Sequence, residues 1–211
     1  MLDPVKNLKK PVEILKSSEP VEFEVKKVST KTTTRSAPAP FVTSTLQAEA
    51  SRRFGRGVKQ VMRVAQSLYE NGYITYMRTD SPTLSEQAIK AAQAWIVSQF
   101  GKKYSQPRQF AAKSKSAQEA HEAIRPTDIS KSAKDLGLKG MEAKLYELIR
   151  KRTLASQMAD AKVKITTYEL VPVKAPSQIW VAKGEVVEFD GWRAVWDTQD
   201  EKEQILPEVK K

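Results

Sequence analysis

The chain has 211 residues, 40% of them hydrophobic, enough for one large or two small packed domains and too many for a disordered tail. It has no cysteine and one histidine, His121, which rules out disulfides, thiol nucleophiles, Cys-based zinc sites and any metal site needing two His ligands. Its net charge of +11 is uneven: residues 1–40 carry +3, residues 41–150 carry +8 and residues 151–211 are neutral, so an anionic partner is expected at the middle of the chain.

Residues 1–20 are rich in Lys and Pro with weak periodicity and read as extended or loose. Residues 21–30 alternate apolar and polar through Val25, the pattern of a half-buried strand. Residues 31–40, mostly Thr, Ser, Ala and Pro, read as a connector. Ser44 with Gln47 forms a capping box for a first helix, whose face is Leu46, Ala50 and Phe54 and whose stop is Gly55. A second helix over 57–71 aligns Val58, Val61, Ala65 and Leu68 and ends at Asn71-Gly72. Tyr73–Met77 then suits a short strand, so this stretch reads as a helix-turn-helix with a wing.

Thr83 with Glu86 forms a second capping box, opening a helix over about 84–99 with Ile89, Ala92 and Trp95 or Ile96 inside and Gly101 at its end. Residues 102–120 are a basic loop, and a last helix runs over about 141–157 through Leu145, Leu148 and Ile149. From 161 the period shortens. Residues 162–165, 168–170, 179–181 and 186–189 read as short strands, and Asp190-Gly191 is a turn signal ahead of Trp192–Trp196. The expected fold class is therefore α+β: a helical domain with a winged-helix-like (CAP-like) core, residues 39–157, inserted into a discontinuous, mainly antiparallel β domain, residues 1–38 and 158–211. No apolar run approaches about eighteen residues, and Met1-Leu2-Asp3-Pro4 lacks a signal-peptide pattern, so the expectation is a protein of the cytoplasm that does not span a membrane.

Two segments carry chemistry. In Tyr73-Ile74-Thr75-Tyr76-Met77-Arg78-Thr79-Asp80-Ser81 a tyrosine stands two residues from an arginine. A phenolate can attack phosphorus and leave again, and a nearby guanidinium can neutralise the phosphate as charge builds. Spacing alone also fits a plainer reading: Tyr69, Tyr73 and Tyr76 as a helical core stripe, with Arg78 and Asp80 as a surface pair. The second segment, Glu119-Ala120-His121-Glu122-Ala123-Ile124-Arg125-Pro126-Thr127-Asp128, opens like a zinc-protease helix, but Arg125 replaces the second His. One helical turn would place His121 and Arg125 on one face, able to grip a phosphate; on spacing alone a lone structural histidine before a helix-ending Arg-Pro is the favoured reading.

Together with Ala39-Pro40-Phe41-Val42-Thr43-Ser44-Thr45-Leu46-Gln47 and Arg53-Phe54-Gly55, these segments resemble three ordered motifs of the type IA DNA topoisomerases of bacteria. The resemblance implies that Tyr76 is the nucleophile on single-stranded DNA and that Arg78 holds the scissile phosphate. It implies that His121 and Arg125 grip a nearby DNA phosphate and that Asp80 orients Arg78 or His121. It implies a monomer of the bacterial nucleoid, with no cofactor or metal ligand in this chain. Mg²⁺ would belong to a Toprim domain, which the chain lacks along with a second DNA-gripping domain. The chain then reads as the tyrosine-bearing domain plus part of a β-rich arch, inactive alone. The alternative is a winged-helix DNA-binding module without chemistry.

Overall fold

A computed structural model describes residues 22–111, 122–173 and 177–196. Among these residues, contacts form a smaller unit, residues 22–33 and Val163–Glu188, and a larger one, Thr34–Lys162 plus residues 189–196.

The smaller unit is built on an antiparallel three-stranded sheet of β1 (Phe23–Arg35), β2 (Ala161–Pro172) and β3 (Trp180–Phe189), with β2 in the centre. β1 runs farther than the alternation at 21–30 suggests. Its second half, Thr30-Lys31-Thr32-Thr33-Thr34, carries β-branched side chains that favour a pleated strand without apolar alternation. The connector is thus reduced to residues 36–40. The paired short strands expected after 161 merge into β2, and those after 179 into β3. Phe23 and Trp180 meet edge to face at 5.8 Å, an aromatic contact between the two edge strands.

The larger unit holds α1 (Thr43–Phe54), α2 (Val58–Glu70), α3 (Glu86–Phe100) and α4 (Gly140–Ser156), with α4 packed on the other three. Each helix has the periodicity the sequence shows, but the caps differ. Val42, not Ser44, precedes α1: its backbone N–H donates to the Thr45 hydroxyl at 3.0 Å, the role expected of a Gln47 side chain. Gly55 closes α1 in the left-handed region, φ 61°. Ser85, not Thr83, caps α3 by accepting from Ala88 N–H at 3.3 Å, while the Thr83 hydroxyl donates to the Phe110 carbonyl at 3.0 Å.

One further expectation is corrected. Tyr73–Met77 is not a strand: Ile74 alone makes an isolated bridge, to Pro126, whose missing N–H cannot extend a ladder. No wing is therefore present among the described residues. Residues 102–120 begin as the expected loop, and its described part is anchored. A 3₁₀ turn spans Lys102–Tyr104, and Gln157 brackets Arg108 by accepting from its N–H and donating to its carbonyl, both at 3.0 Å. Past Asp190 the chain forms a 3₁₀ turn, Gly191–Ala194, in which a Cβ on Gly191 would lie 2.4 Å from the Ala159 carbonyl oxygen.

Phe41, Leu46, Val61, Leu68, Ile124 and Tyr146 lie at the centre of the larger core. Tyr146 is fully buried, and its hydroxyl reaches the carbonyls of Asp128 at 3.2 Å and Lys131 at 2.9 Å. Burial, above all, pushes its phenol up to about 12, against a partial pull downward from Arg150. The folded form thus holds this proton more tightly than the unfolded chain, whose tyrosines titrate near 10. Its contribution is complete below about pH 10 and declines by about 3 kcal/mol as pH rises toward 12. Urea unfolding across pH 9 to 12 should show this fall, and Tyr146→Phe should flatten it; an unchanged slope in the variant refutes the assignment.

Candidate active site around Tyr76

The tyrosine segment takes its shape from the end of α2. Gly72 N–H donates to the Tyr69 carbonyl at 2.8 Å and Tyr73 N–H to the Leu68 carbonyl at 2.9 Å, which turns the chain out of the helix. Tyr73 and Tyr76 therefore lie outside α2, and the helical stripe of three tyrosines does not form. Beyond the turn, exposure alternates with period two. Met77, Thr79 and Ser81 are buried, at 1%, 5% and 6% exposure, whereas Tyr76, at 37%, Arg78 and Asp80 are exposed. The chain bends at Thr75, Met77 and Arg78 and is not a strand, yet it leaves Tyr76, Arg78 and Asp80 open to solvent. The Tyr76 ring rests edge to face on Tyr69 with centroids 5.3 Å apart.

Two other motif segments hold this one in place. At the start of α1, Thr43 N–H donates to the Thr79 carbonyl at 2.9 Å. The Thr43 hydroxyl lies 2.9 Å from the Met77 carbonyl and accepts from Thr79 N–H at 2.9 Å. On the other side of Tyr76, Thr75 N–H donates to the Arg125 carbonyl at 2.9 Å. The Thr75 hydroxyl donates to the Ala123 carbonyl at 2.7 Å and accepts from Arg125 N–H at 3.0 Å. Ile124 N–H closes the set by donating to the Phe41 carbonyl at 2.9 Å. Residues 41–43, 75–79 and 123–125, far apart in sequence, thus form one hydrogen-bonded unit.

Residues 122–126 are not helical; they form isolated bridges at Ile124 and Pro126. The helical turn expected to align His121 with Arg125 is therefore absent over its described part, and His121 itself lies outside the described residues. The Arg125 side chain is 18% exposed, pairs through Nε with Glu122 and donates from Nη1 to the Pro126 carbonyl at 2.9 Å. Burial would raise Glu122, but hydrogen bonds from Arg125 and Ser85 outweigh it and hold the carboxyl below its usual range. A small cavity beside Arg125 is lined by Gln87, Ala88 and Ala91 of α3 and by Pro126, Thr127, Ile129 and Thr153. Arg78 and Asp80 form no ion pair with each other.

Sequence reasoning passed over Thr43, Thr75 and Glu122. Each lies inside a chemically suggestive segment, but the backbone partners of Thr43 and Thr75 are 34 to 50 residues away, whereas Glu122 pairs with Arg125 three residues on. The charge concentration at mid-chain has a local form: residues 50–69 hold Arg52, Arg53, Arg56, Lys59 and Arg63 and no acid. Arg56, Lys59 and Arg63 are exposed on α2 and the turn before it. Among the described residues no group of three or more His, Cys, Asp or Glu side chains is placed to hold a metal ion. No helix among them is long and apolar enough to cross a membrane.

A family model described as DNA topoisomerase matches residues 3–211. The DNA topoisomerase 1 of Vibrio cholerae is 49% identical over 195 residues, covering 90% of this chain and 22% of that protein. The Escherichia coli DNA topoisomerase 1 is 48% identical over 182 residues, covering 84% of this chain and 20% of that protein. The structure of full-length topoisomerase I from Thermotoga maritima superposes with a TM-score of 0.78 at 32% identity, covering 100% of this chain and 34% of that one. The chain spans about a fifth of the length of the curated relatives it matches. With a family match over almost its whole length, the chain belongs to the bacterial DNA topoisomerases.

Proposed function

We propose that this chain is the nucleophile-bearing part of a type IA DNA topoisomerase and that Tyr76 makes the covalent bond to DNA. The observation that carries this reading is that Tyr76 and Arg78, two residues apart, are both exposed while Thr43 and Thr75 fix the backbone around them. The phenolic oxygen of Tyr76 attacks a phosphodiester in single-stranded DNA. The new bond joins that oxygen to phosphorus, the bond from phosphorus to the 3′-oxygen breaks, and the phenol's proton is in balance passed to the leaving 3′-hydroxyl. The 5′-phosphotyrosyl link conserves the energy of the broken bond, so resealing by the 3′-hydroxyl needs no ATP. Strand passage between these steps relaxes negative supercoils in the full-length enzyme.

Arg78 supplies positive charge to the phosphate as its oxygens gain charge. Arg125, already engaged through Nε and Nη1, has Nη2 left to join His121 on a neighbouring DNA phosphate. Asp80 takes the role of orienting Arg78 or His121. A Toprim part of the longer protein, together with a second DNA-gripping domain, would complete the site and hold the Mg²⁺ whose charge would neutralise the phosphate. The β strands form part of an arch, and the whole works as a monomer in the bacterial cytoplasm. The chain by itself is expected to be inactive.

The test is to incubate the full-length polypeptide carrying this chain with Mg²⁺ and a labelled single-stranded oligonucleotide, then map any covalent adduct by proteolysis and mass spectrometry. An adduct on the peptide containing Tyr76 supports the reading; an adduct elsewhere refutes it. The acid-free run over residues 50–69 supports a second reading, a helical DNA-binding module without chemistry, which predicts salt-sensitive binding and no adduct. Both readings place phosphates near Arg56, Lys59 and Arg63. Replacing all three by Ala should lower the slope of log affinity against log salt by about 2 on a single strand, measured by fluorescence anisotropy. An unchanged slope places the DNA elsewhere.

A further inference from the structure

We infer that the hydroxyls of Thr43 and Thr75 are positioning groups for the strand break, holding the backbone on either side of Tyr76 so that its phenol and the Arg78 guanidinium reach the same phosphate. This rests on the reading of Tyr76 as nucleophile. Tyr76 is flanked by two peptide stretches whose backbone partners are mostly not those of a regular sheet. On the N-terminal side the Thr75 hydroxyl spends its proton on the Ala123 carbonyl, 2.7 Å away, and accepts from Arg125 N–H at 3.0 Å. On the C-terminal side the Thr43 hydroxyl accepts from Thr79 N–H at 2.9 Å and stands 2.9 Å and 3.0 Å from the Met77 and Thr79 carbonyls.

The arrangement matters because isolated bridges, not a ladder, surround this segment. In a sheet, several neighbouring backbone pairs fix the register, and the loss of one is shared among the rest. Here each hydroxyl satisfies backbone groups that no adjacent strand pair replaces. Between the two clamps lie Tyr76 and its adjoining peptides. A small rotation there moves the phenolic oxygen by a large fraction of an ångström relative to Arg78, and such misplacement alone can cost about 100-fold in rate. The hydroxyls touch neither DNA nor the reacting atoms in this scheme, so substrate affinity should hardly change.

The test uses the full-length polypeptide carrying this chain, with Thr43→Val, Thr75→Val, the matching Ser variants and Tyr76→Phe as reference. Adduct formation is followed in single turnover with excess oligonucleotide, with rates normalised to the folded fraction from thermal melting. Each Val variant should form the adduct about 10- to 100-fold more slowly, with Kd for the oligonucleotide changed less than about threefold. Each Ser variant, which keeps the hydroxyl, should recover to within about threefold of the parent. A group that only stabilises the fold would lower the melting temperature while leaving the normalised rate intact, and that result overturns the inference. Val variants that do not fold at all, or Ser variants as slow as Val, overturn it also. The underlying reading is separable: an adduct that persists in Tyr76→Phe refutes the nucleophile, whereas a dead Tyr76→Phe beside fully active Val variants refutes the positioning role alone.

Discussion

Tyr76→Phe in the full-length polypeptide should abolish covalent adduct formation, a loss of about 10⁵-fold or more, because no neighbouring group replaces a deleted nucleophile. The fold should survive. Tyr76 is 37% exposed, and what the substitution keeps, an aromatic ring, is what packs edge to face on Tyr69 at 5.3 Å. The thermal midpoint should therefore shift by no more than about 2 °C, the ordinary effect of a surface change. That separation makes the variant decisive. A pure DNA-binding module would lose at most a single contact and keep its affinity to within about tenfold, or 1.4 kcal/mol. Gel detection of the labelled adduct, with anisotropy for binding, reads both quantities. A variant that still forms adduct, or a parent that never does, removes Tyr76 from the chemistry.

How far the sequence discloses this arrangement depends on the range of the interactions involved. α1, α2, α3 and α4 follow from local periodicity because each buries a face that repeats every three to four residues, such as Val61, Ala65 and Leu68 on α2. Caps are less legible: Ser44 with Gln47 fits the local pattern, and what selects Val42 as the boundary is Thr43 binding Met77 and Thr79 elsewhere in the chain. The error at Tyr73–Met77 has the same origin. The run has strand composition, but its partner is a segment containing Pro126, so hydroxyl and backbone contacts replace a ladder. The alternation of Met77, Thr79 and Ser81 with Tyr76, Arg78 and Asp80 was visible in principle as a period of two, although buried Thr and Ser disguise it as polar. Thr43 and Thr75 were legible only as hydroxyls near a candidate site. The Glu122 pairing with Arg125, three residues apart, lay within reach of local reasoning, which had assigned both to a helix.

Phe41→Ala should be the most damaging single truncation in the larger unit, costing about 4 kcal/mol in urea unfolding. Phe41 has no exposed surface and lies where three demands meet. Its ring fills the core between α1 and α4, 6.0 Å from Trp196. The guanidinium of Arg152 sits 4.7 Å above the same ring and 5.0 Å from Trp196, while its Nε donates to the Ala39 carbonyl at 2.6 Å. Burial draws Arg152 down to about 10, so the aromatic faces and that carbonyl offset much of the water it has lost. Truncation thus leaves a cavity of ring size and strips one face from a desolvated cation, and the second loss adds to the first. Phe41→Leu, which refills most of the volume but offers no π face, should cost about 1 to 2 kcal/mol. The difference between the two variants separates packing from cation–π support. Because the Phe41 carbonyl accepts from Ile124 and Thr43 is two residues away, the Leu variant should also slow adduct formation while its helices remain intact. A Phe41→Ala cost below about 1 kcal/mol would mean that the core closes around the gap and that this junction does not hold the tyrosine segment in place.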